Sequence, residues 1–341
     1  MENLSSSLDP AEWIAIQHAA DVGAARRSGQ ALADRLGMSE TRIGQLALII
    51  TEAATNILKH AGEGSMLVSV ANYGGRRCVE VLAFDQGPGI ANLQQAMTDG
   101  VSSAGTAGTG LGAIRRLADQ FDVYAPMGKG TLLFARLWRD AAPASLPLRY
   151  GGVCQPIAGE TESGDAWAVL PRQDGITMLA VDGLGHGPEA AKAAAAAVAT
   201  LKATPAQPPG LLVEACHAAL RPTRGAALAI ATLNPATQQL AFAGIGNIMA
   251  SIYVDGARRQ LMSHNGIVGH NVRKVQELQF PCPAGSLVVL ASDGISTQWD
   301  LAQYPGLLAR EPAMIAAVLL RDHGRRRDDA SVLVLAMPGS P

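Results

Sequence analysis

Four aspartates in the second half of the chain stand where apolar runs begin or end. Asp165 opens "DAWAVLP", Asp182 closes "GITMLAVD", Asp293 follows "SLVVLAS", and Asp328 shortly precedes "ASVLVLA". Short apolar runs bounded by glycine and polar turns read as buried strands. A carboxylate at the end of such a strand is disfavoured in its charged form unless something satisfies it. One Asp-Gly alone is an ordinary surface turn. Four of them gathered at strand ends would repel one another, and divalent cations would relieve that repulsion. Oxygen-only ligands favour Mg²⁺ or Mn²⁺. Two such ions about 3.5–4 Å apart bind a shared water, lower its pKa and hold a phosphoryl group.

The length of 341 residues, with 48% hydrophobic and 16% charged, supplies more than one core, because single cores split above roughly 250 residues. The Ala/Pro-rich stretch "DAAPASLPL" has no helical or strand period and reads as a linker. The expected organisation is a first domain over 1–139, a linker over 140–148 and a second domain over 149–341. Helical patterns are read at roughly 11–36 and 39–61, and again near 187–203, 208–220 and 312–322, among many short apolar runs. The fold class is therefore α+β in two domains. A net charge of −2 argues against nucleic acid as a partner. No stretch reaches the roughly 18 apolar residues of a membrane span. The start "MENLSSSLDP" lacks the basic and apolar regions of a secretory signal, and the four cysteines are scattered. A cytoplasmic protein is expected.

In the first half, "ITEAATNILKHAG" places Glu52, Asn56 and His60 on one helical face. Such a polar stripe needs partners. An Asn oxygen suits a hard cation shared with phosphates, and a Glu one turn earlier suits a proton acceptor. "AFDQGPGI" ends a strand in Asp85 and turns through Gly87 and Gly89, where a carboxylate is able to accept a hydrogen bond from an exocyclic amine. "GTAGTGLGAIRRLAD" sets glycines directly ahead of a helix, whose N-terminal amides bind phosphate.

In this order and spacing the three features resemble the GHKL ATPase superfamily, and most closely the bacterial anti-sigma-factor and stress-switch serine kinases, over roughly residues 11–138. The resemblance implies an α/β sandwich that binds ATP with Mg²⁺ on Asn56 and Glu52 as base. It further implies Asp85 on adenine, with Gly87 and Gly89 shaping that pocket, Gly108, Gly110 and Gly112 on the phosphates, and Thr131 near the adenine. Sensor histidine kinases share the pocket, but no dimerisation helices with a phospho-acceptor histidine are found here.

"SGDAW", "VDGLGHG", "AGIGN", "SDGIST" and "RDDAS" resemble, in order, the motifs of type 2C-like metal-dependent serine/threonine phosphatases of the SpoIIE class, over roughly 149–337. That implies a second α/β sandwich with central antiparallel sheets and two Mn²⁺ or Mg²⁺ ions. Asp182 would bridge both metals with the Gly183 carbonyl on one, Asp293 and Asp328 would hold the other, and Asp165 would support the site. Asp329 is left as a neighbour and His186 as a loop residue. One of Arg325, Arg326 and Arg327 is a candidate for substrate phosphate. An aspartyl nucleophile of the haloacid-dehalogenase sort would need a second Asp two residues on, which "VDGLG" lacks.

Together the resemblances imply a bifunctional regulator that phosphorylates and dephosphorylates a STAS-type antagonist or similar phosphoprotein, as in sigma-factor or stress signalling. The alternatives are a phosphatase with an ATP-sensing first domain, and a stoichiometric binding module.

Overall fold

The computed structural model describes residues 3–97, 110–144, 146 and 148–339. The chain forms two compact units, Asp9–Ala144 and a second made of Met1–Leu8 with Ser145–Pro341.

The chain opens with β1 (Ser5–Ser6) and continues in the first unit with β2 (Ala11–Ile16), α1 (Ala19–Leu36), α2 (Glu40–His60), β3 (Gly64–Tyr73) and β4 (Arg76–Asp85). There follow α3 (Leu93–Ala96), α4 (Gly110–Leu117), β5 (Gln120–Tyr124) and β6 (Leu132–Trp138). The strands make one antiparallel sheet, β2-β3-β4-β6-β5. Its alternate residues Val79, Val81, Ala83, Leu133, Ala135 and Leu137 join one core with Leu32, Leu46, Ile50 and Ile57 of the helices. The helix starts are chemically fixed. Asp21 accepts from the amides of Gln17 and His18 ahead of α1, and Ser39 Oγ accepts from Arg42 N at the start of α2. The expected helix over 11–36 is shorter than read, because "AEWIAI" pairs with β3, from Ala11 opposite Ser69 to Ile16 opposite Gly64. It forms the edge strand of that sheet, and the helix waits for the cap at His18–Asp21.

In the second unit come β7 (Arg149–Gln155), β8 (Asp165–Pro171), β9 (Ile176–Gly183), α5 (Pro188–Ala203), α6 (Pro209–Ala219), β10 (Ala226–Asn234) and β11 (Gln239–Ile245). Next are β12 (Met249–Val254), β13 (Ala257–Leu261), the short hairpin β14 (Gly266–Ile267) and β15 (Asn271–Val272), and β16 (Leu278–Pro281). The unit ends with β17 (Leu287–Ala291), α7 (Pro312–His323) and β18 (Ala330–Ala336). A six-stranded sheet runs β1-β8-β9-β10-β11-β16 and a five-stranded sheet runs β13-β12-β17-β18-β7, with every pairing antiparallel. The sheets face one another, with β7 and β18 against β8, and helices cover their outer sides: α5 and α6 on the first, α7 on the second. This is the expected α+β class, a sandwich with central antiparallel sheets.

The first eight residues depart from the expected grouping with the first domain. Ser5 pairs with Val169 and Ser6 with Ala168, and Leu4 packs on the core beneath β8. Their backbone groups close an edge of the second unit's sheet, which removes unpaired strand amides from solvent. Among the described residues no helix is long and apolar enough to cross a membrane.

Candidate functional sites

Both candidate sites rest on aspartates at strand ends. In the first unit, Glu52 and Asn56 lie one turn apart on α2, half-buried, and His60 is exposed at its end. The start of α4 is laid against this pair: a Cβ added at Gly110 would stand 3.3 Å from Asn56 Oδ1 and 3.6 Å from Glu52 Oε2. Gly112 is buried two residues into the helix. Positive partial charge at this helix start thus faces a carboxylate and an amide oxygen. Gly108 lies outside the described residues.

Asp85 ends β4 and is 8% exposed. Its Oδ1 accepts from Gly87 N at 2.8 Å and from Thr131 N at 3.0 Å, and its own amide donates to Thr131 O at 3.0 Å. The loop beyond is bound to 125–130 through Ile90 N to Ala125 O and Gly130 N to Gly87 O. Gly89 (φ 77°) is required here, since a Cβ would lie 2.3 Å from Pro126 O. Asp85, Gly87, Gly89 and Thr131 therefore form one rigid corner. A Cβ added at Gly64, beside it, would stand 2.8 Å from Ile57 Cγ2 and 3.2 Å from Asp85 Cβ, and Ile57 follows Asn56, so this corner and the Glu52–Asn56 face share one end of α2.

In the second unit, Asp182, Asp293 and Asp328 line one cavity of about 360 Å³, together with His186, Asn247 and Arg327. Sheet pairing positions the floor: Asp165 at the start of β8 lies directly opposite Asp182 on β9. Asp165 is 3% exposed and its Oδ2 has no hydrogen-bond partner. Burial, with Asp329 and Asp293 adding, pushes its carboxyl up to about 7, against the pull of Ser292 and Ser331. Asp182 is pushed up to about 8 by burial first and then by Asp165, Asp293, Asp328 and Asp329. Burial and Asp328 also raise Asp293, while Arg325 lowers it. Gly183 follows Asp182 where only glycine fits, because a Cβ would stand 2.3 Å from Ala190 O.

Such a cluster is unstable as free carboxylates, and its donors are all oxygen, which fits hard divalent cations. Among the described residues no three acidic, imidazole or thiol side chains stand close enough together to hold a metal ion by themselves. A roomy cavity with dispersed carboxylates suits ions that keep several of their waters, as Mg²⁺ does.

Other residues take definite places. Both carboxylate oxygens of Asp329 are engaged, Oδ1 by Ile157 N and Oδ2 by Gly164 N, each at 2.7 Å, so it ties the 157–164 loop to β18. Asp328 is exposed, and its Oδ1 accepts from Asp329 N at 2.9 Å. His186 Nδ1 donates to Glu160 Oε1 at 2.8 Å on the lip of the cavity. Of the three consecutive arginines, Arg327 lines the cavity. Sequence reasoning missed Asn247, whose Nδ2 donates to Asp293 Oδ2 at 2.7 Å. Its only signal is its place in "AGIGN".

A family model described as "Histidine kinase-like ATPase domain" matches residues 17–136, and one described as "Stage II sporulation protein E (SpoIIE)" matches 172–338. The chain is 35% identical over 118 residues to the serine/threonine-protein kinase RsbT of Bacillus subtilis (strain 168), covering 35% of this chain and 89% of that protein. A solved structure from work on the bacterial stressosome, described as "a modular system that has been adapted to control secondary messenger signaling", is 30% identical with a TM-score of 0.52. It covers 55% of this chain and 98% of its own. A structure of the PP2C phosphatase domain and a regulatory fragment of SpoIIE from Bacillus subtilis aligns at 16% identity and a TM-score of 0.48, over 77% of this chain and 80% of that one.

Proposed function

This chain belongs to the histidine kinase-like ATPase family through residues 17–136 and to the SpoIIE family through 172–338, and from that premise we propose a bifunctional partner-switching enzyme. The first unit phosphorylates Ser or Thr of a partner protein with ATP, and the second removes such phosphates. The partner is a STAS-type antagonist or a similar phosphoprotein. The observation that carries this reading is the cavity that Asp182, Asp293 and Asp328 line together.

In the phosphatase unit, Asp182 and the Gly183 carbonyl, with Asp293 and Asp328, would hold two Mn²⁺ or Mg²⁺ ions. When bound, these neutralise phosphoryl charge and make water acidic enough to attack near neutral pH. Asp165, directly opposite Asp182 on the neighbouring strand, would support the site. Asn247 orients Asp293 by donating to one of its oxygens. Arg327 at the rim offers a fork suited to phosphate. In the ATPase unit, Asn56 would hold Mg²⁺, and Glu52 would take the proton from the accepting hydroxyl. The amides at Gly108, Gly110 and Gly112 would cradle phosphates. Asp85, with Thr131 and the Gly87–Gly89 turn, would read the adenine amine.

The test is one preparation assayed twice. With labelled ATP, the protein should transfer phosphate to a STAS-domain partner. In Mn²⁺ it should release phosphate from the phosphorylated partner. Binding of ATP without transfer would favour an ATP-sensing phosphatase instead.

A further inference from the structure

Beside α6, the segment 269–277 is tied down at both ends. Gly269 N donates to His217 Nδ1 at 3.0 Å near the helix C-terminus, and Glu277 Oε2 accepts from Gly210 N at 2.9 Å at its start. Between the ties lies a second cavity of about 230 Å³. Val272, Arg273, Lys274 and Val275 form one wall, and Glu214 and His217 the other. Because His217 Nδ1 accepts a hydrogen bond, its Nε2 carries the proton and is a donor. Arg273 and Lys274 are exposed, and among the described residues they form no ion pair.

The turn 221–225 links this cleft to the phosphatase cavity. On one side Thr223 O accepts from His270 Nε2 at 3.0 Å, and Gly225 packs on His270 and Ile267. On the other, Gly225 O accepts from Leu184 N at 3.0 Å, and a Cβ at Gly185 would stand 3.0 Å from Arg224 Nη1. Leu184 and Gly185 themselves line the aspartate cavity. Exposed Arg221 and Arg224 ride on this turn. A run of cations therefore leads from the mouth of the aspartate cavity to the cleft. The nearby acids weaken it without cancelling it: Glu214 in the cleft wall and Glu277, which keeps its charge while accepting from Gly210 N, stand against Arg221, Arg224, Arg273 and Lys274, and Glu189, the acid beside Arg224, is paired with Lys192.

We propose that the cleft between α6 and residues 272–275 docks an acidic peptide segment flanking the phosphorylated residue of the protein substrate, led there along Arg224 and Arg221. The inference rests on the phosphatase reading and specifies its substrate class. Val272 and Val275 take the apolar parts of the segment, while Arg273, Lys274 and the His217 Nε2–H meet its carboxylates. Exposed charge pairs are individually weak and screened by salt, so the track sets selectivity among substrates rather than the chemistry.

The experiment uses the full chain with Mn²⁺ and three substrates: p-nitrophenyl phosphate and two phosphoserine peptides that differ only in acidic or neutral flanks. The wild type should show a KM about fivefold lower for the acidic peptide, a preference that shrinks as salt rises. Arg273→Glu with Lys274→Glu should abolish the preference and leave p-nitrophenyl phosphate turnover unchanged. Should that variant fail to fold, Arg273→Gln with Lys274→Gln decides the matter. Binding of the unphosphorylated acidic peptide, followed by fluorescence anisotropy, reads the cleft without catalysis. Peptide binding lost on charge reversal upholds the inference even if the wild type hydrolyses nothing, which would sink only the phosphatase reading. Equal KM values for the two peptides, binding that survives reversal, or tighter binding of a single-stranded RNA of the same length overturns it.

Discussion

Asp85 and Asp182 stand on the same local pattern, an apolar strand running into an aspartate and a glycine turn, yet their surroundings are opposite. Two backbone amides bind Asp85 Oδ1, and the turn beyond is bonded to a neighbouring loop. Burial first, and then the carboxylates of Asp165, Asp293, Asp328 and Asp329, push Asp182 up to about 8. The first carboxylate is satisfied by the chain itself, whereas the second needs charge from outside. A strand-end Asp-Gly is thus a position, and its chemistry is set by what other strands bring to it.

The sharpest break of that contrast is Asp293→Asn. Removing one charged ligand and its share of cation binding should lower phosphatase turnover by at least about 100-fold, since cation stabilisation is worth several kcal/mol. ATP affinity should stay unchanged. Phosphate release at the wild-type rate in Mn²⁺-titrated buffer would end the two-metal reading. Asp85→Asn attacks the other side. Its side-chain oxygen still receives the two amides, but the charged acceptor is lost, which should cost about 1.5–3 kcal/mol, or roughly 10- to 150-fold in ATP affinity by calorimetry. An unaltered affinity would take Asp85 out of the nucleotide pocket.

The need for outside charge has a thermal signature. Mn²⁺ at about 100 times its dissociation constant should stabilise the second unit by about 2.7 kcal/mol, and chelation should reverse this. The first unit should not respond unless ATP is present. A melting curve indifferent to Mn²⁺ would mean that the aspartates share protons instead. Asn247→Ala should cut turnover by about tenfold, the value of one hydrogen bond to a charged group. Its metal affinity should fall as well. An unaffected variant would leave Asn247 with no role in orienting Asp293.

The smallest effect concerns His323, whose Nε2 is hydrogen-bonded with Tyr304 Oη at 3.0 Å and whose pKa burial holds below 6.5, against the pull of Asp322. A histidine with a depressed folded pKa binds protons more readily when unfolded. Stability is therefore unaffected above pH 6.5 and declines as pH falls below it. His323→Gln should flatten that decline in Tm between pH 7.5 and 5 with Mn²⁺ held saturating. An identical slope in the variant would assign the decline to other groups.

Local chemistry made much of this legible in the sequence. The spacing of Glu52 and Asn56, the glycines after Asp85, and apolar runs meeting Asp165, Asp182, Asp293 and Asp328 are encoded within a few residues of one another. Helical and strand periods are equally local, so α2, α5, α6 and α7 were readable, as were most of the long strands. Pairing between distant segments was not. "AEWIAI" became an edge strand because β3 offered it partners. Ser5 and Ser6 joined β8, more than 160 residues away, for the same reason. Asp329 was legible only as a neighbour of Asp328, and the fold gave both its oxygens to the amides of Ile157 and Gly164. Asn247 carried no charge to draw notice, and only the fold brought its amide to Asp293. Sequence determined the helices, the strands and the candidate residues at their ends, because composition and period act over a turn or a strand. Tertiary structure decided which carboxylate is satisfied and which is left wanting a cation, because hydrogen bonds and charge repulsion depend on distance in space, and register across a sheet sets that distance.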